Sequence, residues 1–178
     1  MTRLTQIVLV SISFLFLSFH AQAQEQLNFA QLPFVSTPSP MPTGYGHLSW
    51  ANFFYVNPYA WSGAGPGYHL QPQSSDVAFV GGENCRLSGY ACYGTLNSST
   101  AFMLTTAQVA AGYGPTQVTV TAYNNGKFLG TKQYVITPQV QNMDFPLSWG
   151  AATEVMFQVS GEPGSLVFYG ITAYYLGG

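Results

Sequence analysis

Charge is what this sequence has least of. Charged residues make up 6% of the 178 positions, with four lysines and arginines against six acids. Proteins that bind nucleic acid need clustered Lys and Arg to neutralise phosphates, and no such cluster is present, which excludes nucleic acid as a partner. The low charge does not indicate disorder, because hydrophobic residues reach 47% and aromatic residues 16%.

Long apolar runs are also scarce. The longest, from Ile7 to Phe19, follows a positively charged start and precedes the small-residue site Ala21-Gln22-Ala23. This arrangement is typical of a secretory signal peptide, and the run is shorter than the roughly 20 apolar residues that span a bilayer. We therefore expect a signal peptide over residues 1–23 and one exported domain over residues 24–178. With no membrane attachment after signal removal and no sorting tail, we expect a secreted, extracellular protein.

Cysteine is limited to Cys85 and Cys92. An exported chain meets oxidising conditions, and the intervening Ser88-Gly89 favours a turn that brings the two thiols together. A metal pair or a reactive thiol are the competing interpretations, but the spacing does not match zinc motifs and no further thiol is present. We predict a Cys85–Cys92 disulfide that stabilises the fold by roughly 2–3 kcal/mol.

Motifs of catalysis and metal binding are missing. After the signal only His47 and His69 remain, without the spacing of a zinc site, and no Gly-x-Ser-x-Gly nucleophile motif occurs. The scattered acids carry no motif for the paired carboxylates of a glycosidase. We expect no cofactor, no metal and no catalytic residue, and we place a hydrolase third among the functional hypotheses.

Helical periodicity is absent as well, apart from 105–111, which could form a turn or two of helix. Segment 117–123 alternates apolar and polar residues, as half-buried strands do. It is followed by Asn124-Asn125-Gly126, the signature of a type I′ hairpin turn, and by a second strand over 127–137. Segment 166–176 is apolar on both faces, which indicates a central strand.

Eight or nine short strands fit this pattern, including 26–29, 48–56, 76–80, 100–104 and 154–159. Gly, Pro and Asn turns separate them, so we predict an all-β fold, an antiparallel two-sheet β-sandwich of jelly-roll-like form. The proline-rich connector 33–42 cannot join a central ladder. The predicted core consists of large apolar residues: Trp50, Phe79, Phe102, Val118, Val120, Val155, Phe157, Val167 and Ile171.

The order of the segments 27–32, Gly44–Phe53, Gly67-Tyr68 and Asp76–Phe79 resembles secreted jelly-roll domains related to carbohydrate-binding modules. Such domains occur in fungal secreted proteins and in bacterial proteins with a PEP-CTERM sorting tail. The resemblance implies a jelly-roll fold and a binding function. The acidic pair in the first strand of that pattern is here Ala30-Gln31, and the acidic residue of its last strand falls near Tyr169-Gly170. These losses argue against a structural calcium, since calcium needs oxygen ligands that usually include carboxylates.

Aromatic residues are abundant, and many of them lie in the segment 45–68. Tyr59, Trp61 and Tyr68 lie among Pro and Gly, where we expect exposed loop positions that can stack on sugar rings, with His69 beside them. The alternative is that these rings anchor the loop to the sandwich.

The leading hypothesis from these rings is a non-catalytic module that binds a neutral glycan or cell-wall polysaccharide. A structural or host-facing protein that acts through protein contacts is the second. Asn97-Ser98-Ser99 is a glycosylation sequon, occupied if the source secretes through a glycosylating pathway.

Overall fold

The computed structural model describes residues 23–71, 75–82, 92–161 and 164–176, and this part of the chain holds eleven strands, four 3-10 turns and no α-helix. All strand pairs are antiparallel, which confirms the predicted all-β fold. The strands are β1 (Ala23–Leu27), β2 (Ser39–Pro40), β3 (Ser49–Ala51), β4 (Phe54–Val56), β5 (Val77–Gly82), β6 (Tyr93–Ala111), β7 (Thr116–Asn124), β8 (Lys127–Ile136), β9 (Gln141–Asp144), β10 (Ala152–Ser160) and β11 (Gly164–Tyr175).

The eleven strands form one hydrogen-bonded sheet that is divided into two layers at β6, consistent with a β-sandwich. The front sheet has the order β3, β6, β10, β7 and β8. The back sheet has the order β2, β4, β5, β11, β6 and β9, and β1 pairs with the far end of β11. The central position of β11, between β5 and β6, agrees with its apolar character on both faces.

Strand β6 belongs to both layers. Its first part, Tyr93–Asn97, pairs with β10, and its second part, Phe102–Ala111, pairs with β11. The expectation of a helical turn over 105–111 is therefore wrong. This segment is a strand, because its backbone forms hydrogen bonds with β11 on one side and with β9 on the other.

The hairpin between β7 and β8 follows the sequence prediction. Asn124 pairs with Lys127, so the turn consists of Asn125 and Gly126, whose φ angles are 48° and 77°. Both angles lie in the left-handed region that a type I′ turn requires, and Asn and Gly adopt it at low cost.

The predicted strand 48–56 is two strands in different sheets. Asn52, with φ 59°, interrupts the extended backbone, so β3 pairs with β6 in the front sheet while β4 pairs with β5 in the back sheet. Within the proline-rich connector only Ser39–Pro40 joins a ladder, as the edge strand β2. That placement agrees with the inability of proline to donate within a central strand.

The main core fills the space between the sheets. Phe157 of the front sheet meets Phe168 of the back sheet edge-on, with ring centroids 5.2 Å apart. Trp50 is half-buried at the margin of this core and donates from its indole nitrogen to the Tyr45 carbonyl at 2.7 Å. Of the nine predicted core residues, the main core includes Phe102, Val118, Val120, Val155, Phe157 and Ile171.

Two expectations concern residues outside the described ones. The signal peptide falls almost wholly there, and so does Cys85, so the Cys85–Cys92 disulfide stays a prediction. In the part of the chain that is described, no helix is long and apolar enough to cross a bilayer.

Candidate functional site

A second apolar cluster lies on the outward side of the back sheet. Along β5, Ala78 and Val80 point into the main core, whereas Val77 and Phe79 point outward. The predicted core residues Phe79 and Val167 therefore belong to this outer cluster and not to the space between the sheets. Its buried members are Val56, Tyr68, Val77, Phe79, Ala110, Val167 and Tyr169.

The loop of residues 57–71 covers the outer cluster. Its closest approach is at Gly67, whose backbone nitrogen donates to the Gly112 carbonyl at 3.0 Å. A Cβ at Gly67 would come within 1.8 Å of the Ala111 carbonyl oxygen, so only glycine permits this contact. The Tyr169 hydroxyl also donates to the Gly67 carbonyl, which ties the loop to β11.

Tyr68 is the buried anchor of the 57–71 loop, and the expectation that it is exposed is wrong. Its side chain is 0% exposed, and its hydroxyl lies 2.6 Å from the Ser165 hydroxyl. The close approach at Gly67 turns the ring inward, where it packs on Phe79 and Tyr113. Burial raises the pKa values of Tyr68 and Tyr169 well above their ordinary value, so both phenols stay neutral.

Trp61 lies between exposure and burial. Its indole stacks on Phe79, with centroids 5.7 Å apart and ring planes 15° from parallel, and meets the Tyr68 ring edge-on at 5.4 Å. The half-buried indole therefore contributes to the anchoring of the loop, which was the alternative interpretation from the sequence.

Tyr59 and His69 form an exposed pair on the loop, which we call the rim pair. Their rings meet edge-on at 5.0 Å, and 42% of Tyr59 is exposed. The Tyr59 hydroxyl lies within hydrogen-bond distance of two carbonyls, those of Gln71 at 2.8 Å and His69 at 3.1 Å. This single side chain thus connects the beginning of the loop to its end.

A polar contact fixes the start of the loop. Asn57 is buried, and its backbone N–H donates a hydrogen bond to the Val35 carbonyl at 3.0 Å. Its side-chain Oδ1 accepts a hydrogen bond from the Tyr59 backbone N–H at 3.1 Å. Its side chain also bonds the carboxyl group of Asp76. Burial raises the pKa of Asp76 above its usual range, and the bond to Asn57 offsets only part of that effect.

The outward side of the front sheet, which we call the front face, is a second candidate surface that sequence analysis missed. It carries polar and aromatic residues together with the aliphatic Met156 and Val135, on strands that pair in register. The alternation in 117–123 already indicated a polar face, but only the pairing of β6, β10, β7 and β8 shows which residues share it. Its members include Tyr93, Thr95, Asn97, Gln117, Thr119, Thr121, Tyr123, Phe128, Thr131, Gln133, Val135, Glu154, Met156, Gln158 and Ser160.

The remaining candidates stand apart. Asn97, the sequon residue, is half-buried on the front face, where its amide donates to the Thr95 hydroxyl at 3.1 Å. His47 lies 4.0 Å from the Glu25 carboxylate at an exposed position, whereas the His69 ring meets Tyr59. Among the residues described, no group of three or more His, Cys, Asp and Glu is arranged to hold a metal ion.

Comparison with known proteins gives a fold-level match. No protein-family model and no curated protein matches the sequence. Among solved structures, the chain is similar to a DUF4465 family protein from Bacteroides caccae, with 15% identity, a TM-score of 0.55, and coverage of 94% of this chain and 99% of that one. At this identity the likeness shows the fold alone.

A second solved structure, a family two carbohydrate esterase from Cellvibrio japonicus, matches at 12% identity with a TM-score of 0.42. The match covers 87% of this chain but 35% of the esterase. This likeness is too low to support an argument about function.

Proposed function

We propose that this protein is a secreted, non-catalytic module that binds a neutral polysaccharide through the 57–71 loop. The contact residues are Tyr59, Trp61 and His69, and Tyr68 supports them from beneath. The observation that carries the proposal is the rim pair, two exposed rings fixed edge-on by the hydrogen bonds of Tyr59 to the far end of the loop.

The chemistry of the loop favours an uncharged ligand. Residues 57–71 contain no Asp, Glu, Lys or Arg, so a charged ligand would find no ion-pair partner there. Aromatic rings stack on the apolar faces of sugar rings, and the hydroxyl and amide groups of Ser62 and Gln71 suit sugar hydroxyls. A polysaccharide offers both kinds of group without net charge.

The loop is also held in one arrangement before any ligand arrives. Asn57 fixes its start, Tyr68 and Gly67 fix its middle, and Tyr59 closes it. A binding surface that is already ordered loses less conformational entropy on binding, which raises affinity for a given set of contacts. Anchoring by the buried rings and binding by the exposed ones are therefore compatible roles.

Affinity electrophoresis tests the proposal against hydroxyethyl cellulose, xyloglucan, galactomannan and laminarin. Retardation by at least one polymer is expected for the wild type, and His69→Ala combined with Tyr59→Ala should weaken it about tenfold per lost ring contact. Tyr59→Phe keeps the ring and separates stacking from loop closure. Leu147→Ala, which removes an equally exposed apolar side chain from the 3-10 turn Leu147–Trp149, is the matched control.

Two results would contradict the proposal. Retardation that is unchanged in the Tyr59→Ala, His69→Ala variant would remove the loop from the binding surface. Release of reducing sugar from any polymer would show a hydrolase instead.

A further inference from the structure

We propose that Gln24, the first residue left after signal removal, closes to an N-terminal pyroglutamate that protects strand β1 from exopeptidases. The proposal rests on secretion, which is part of the proposed function, but not on polysaccharide binding. In the sequence Ala21-Gln22-Ala23, alanine stands at the two positions that signal peptidase reads. Cleavage after Ala23 frees the α-amine of Gln24.

The reaction takes place within one residue. The amine nitrogen of Gln24 attacks the side-chain amide carbon Cδ, a C–N bond forms as a five-membered lactam closes, and the side-chain nitrogen leaves as ammonia with the proton that the amine gives up. No electrons are transferred and no co-reactant is needed. The amine and the amide react at the high effective concentration of an intramolecular pair, because one side chain joins them. In the precursor this nitrogen belongs to a peptide bond, so the ring closes only after cleavage.

Strand β1 leaves the side chain of Gln24 accessible. Gln24 pairs with Tyr174 of β11, and its side chain is exposed. Side chains alternate along a strand, so Gln24 points to the outward side of the back sheet, whereas Leu27 points into the main core. The amide of Gln24 therefore remains free to meet the amine at the start of the same strand.

The lactam also suits the first position of a ladder. It keeps one N–H, as a peptide nitrogen does, and it removes the positive charge of the terminal amine. Because Gln24 pairs with Tyr174, its nitrogen lies at the end of the β1–β11 ladder. A neutral group with a single N–H fits the backbone hydrogen-bonding pattern there.

Strand β1 is the element that the ring protects. In the part of the chain that the structure describes, β1 pairs with β11 alone, and it begins the expected mature chain, where proteolysis concentrates. Leu27 is 2% exposed and pairs with Ile171, and a Cβ at Gly46 would overlap its side chain. Trimming as far as Leu27 would therefore remove a core residue. An aminopeptidase needs a free α-amine, which the lactam does not offer.

The experiment uses the full chain with its own N-terminal segment, expressed in a secreting bacterial host. Purified protein is incubated at neutral pH, peptide mass spectrometry reads the N-terminus before and after incubation, and a broad-specificity aminopeptidase then challenges the protein. Gln24→Asn keeps an amide that is one methylene closer to the backbone, so closure would need a strained four-membered ring. Gln26→Asn, the same change on the same side of β1, is the matched control.

The expected pattern depends on position 24 alone. The wild type and Gln26→Asn should begin at position 24 with a terminal residue lighter than glutamine by one ammonia, and the aminopeptidase should release no residue from them. Gln24→Asn should keep a free amine, lose residues of β1 to the aminopeptidase, and show a lower thermal midpoint after the challenge.

Other results overturn the inference. A wild type that begins at Gln24 with a free amine after incubation would show that the ring does not form, and it would leave secretion and polysaccharide binding untouched. A different N-terminus would remove Gln24 from the assignment, and retention of residues 1–23 would overturn secretion as well. Equal resistance of Gln24→Asn to the aminopeptidase would show that pairing with β11, and not the ring, protects β1.

Discussion

The hydroxyl groups of Tyr68 and Ser165 lie 2.6 Å apart in a buried contact between residues 97 positions apart in the chain. Tyr68 belongs to the 57–71 loop and Ser165 to β11, so this contact joins the candidate binding loop to the central strand of the back sheet. Both side chains are 0% exposed, and each hydroxyl would lack a partner without the other.

Tyr68→Phe should destabilise the fold by about 1–2 kcal/mol, because it leaves the Ser165 hydroxyl buried without a partner. Ser165→Ala in the Tyr68→Phe background should add little, since both polar groups are then gone. Urea unfolding of the two single variants and the double variant gives the coupling energy. Additive losses would mean that the two hydroxyls do not interact.

The two half-buried tryptophans should respond differently to truncation. Trp50→Ala should cost about 3 kcal/mol, because it removes a ring packed on Phe29 and Phe53 and a hydrogen bond to Tyr45. Trp61→Ala should cost about 1–2 kcal/mol through its stack on Phe79, more than an exposed loop residue would. Thermal unfolding of both variants measures the difference, and an unchanged midpoint for Trp61→Ala would show that the stack contributes nothing.

Gly67→Ala should detach the 57–71 loop from the back sheet. The new methyl group would overlap the Ala111 carbonyl, and overpacking of this kind costs about 3 kcal/mol. Limited proteolysis should then cleave within 57–71 faster than in the wild type. Gly114→Ala, where the added Cβ meets nothing within 4 Å, is the control and should leave the cleavage rate unchanged.

Asp76 should make stability fall as pH rises. Its pKa in the folded state lies above the ordinary 3.8, so the folded state binds the proton more tightly than the unfolded chain. The resulting stabilisation is complete below pH 3.8 and is lost as pH rises through the folded pKa. Asp76→Asn keeps an acceptor for Asn57 but does not ionise. The urea midpoint of the variant minus that of the wild type should therefore increase as pH rises from 3.8 through the folded pKa. A constant difference at all pH values would contradict the assignment.

Local patterns in the sequence predicted most of the strands. The alternation in 117–123 and the Asn125-Gly126 turn act over a few residues, and both appear in the structure as expected. Segment 105–111 was assigned to the wrong state because its pairing with β11 joins residues about sixty positions apart. The hydrophobic periodicity of a short segment does not show which distant segment it pairs with.

The candidate site was less predictable than the fold for the same reason. The Gly/Pro-rich composition of 57–71 correctly indicated a loop, and Tyr59 is exposed there. Tyr68 is buried because Gly67 meets Gly112 and because Ser165 offers a partner, and both contacts come from distant strands. The front face depends in the same way on registers between strands that no local motif sets.

The path of β6 has a consequence for how the domain comes apart. Because one uninterrupted strand supplies hydrogen bonds to β10 at one end and to β11 at the other, neither layer can open alone and leave the other with its full ladder. We therefore expect the amide hydrogens of Tyr93–Asn97 and Phe102–Ala111 to exchange with solvent through a common opening event, which native-state hydrogen exchange would measure. The surfaces on opposite sides of the sandwich are therefore gained or lost together.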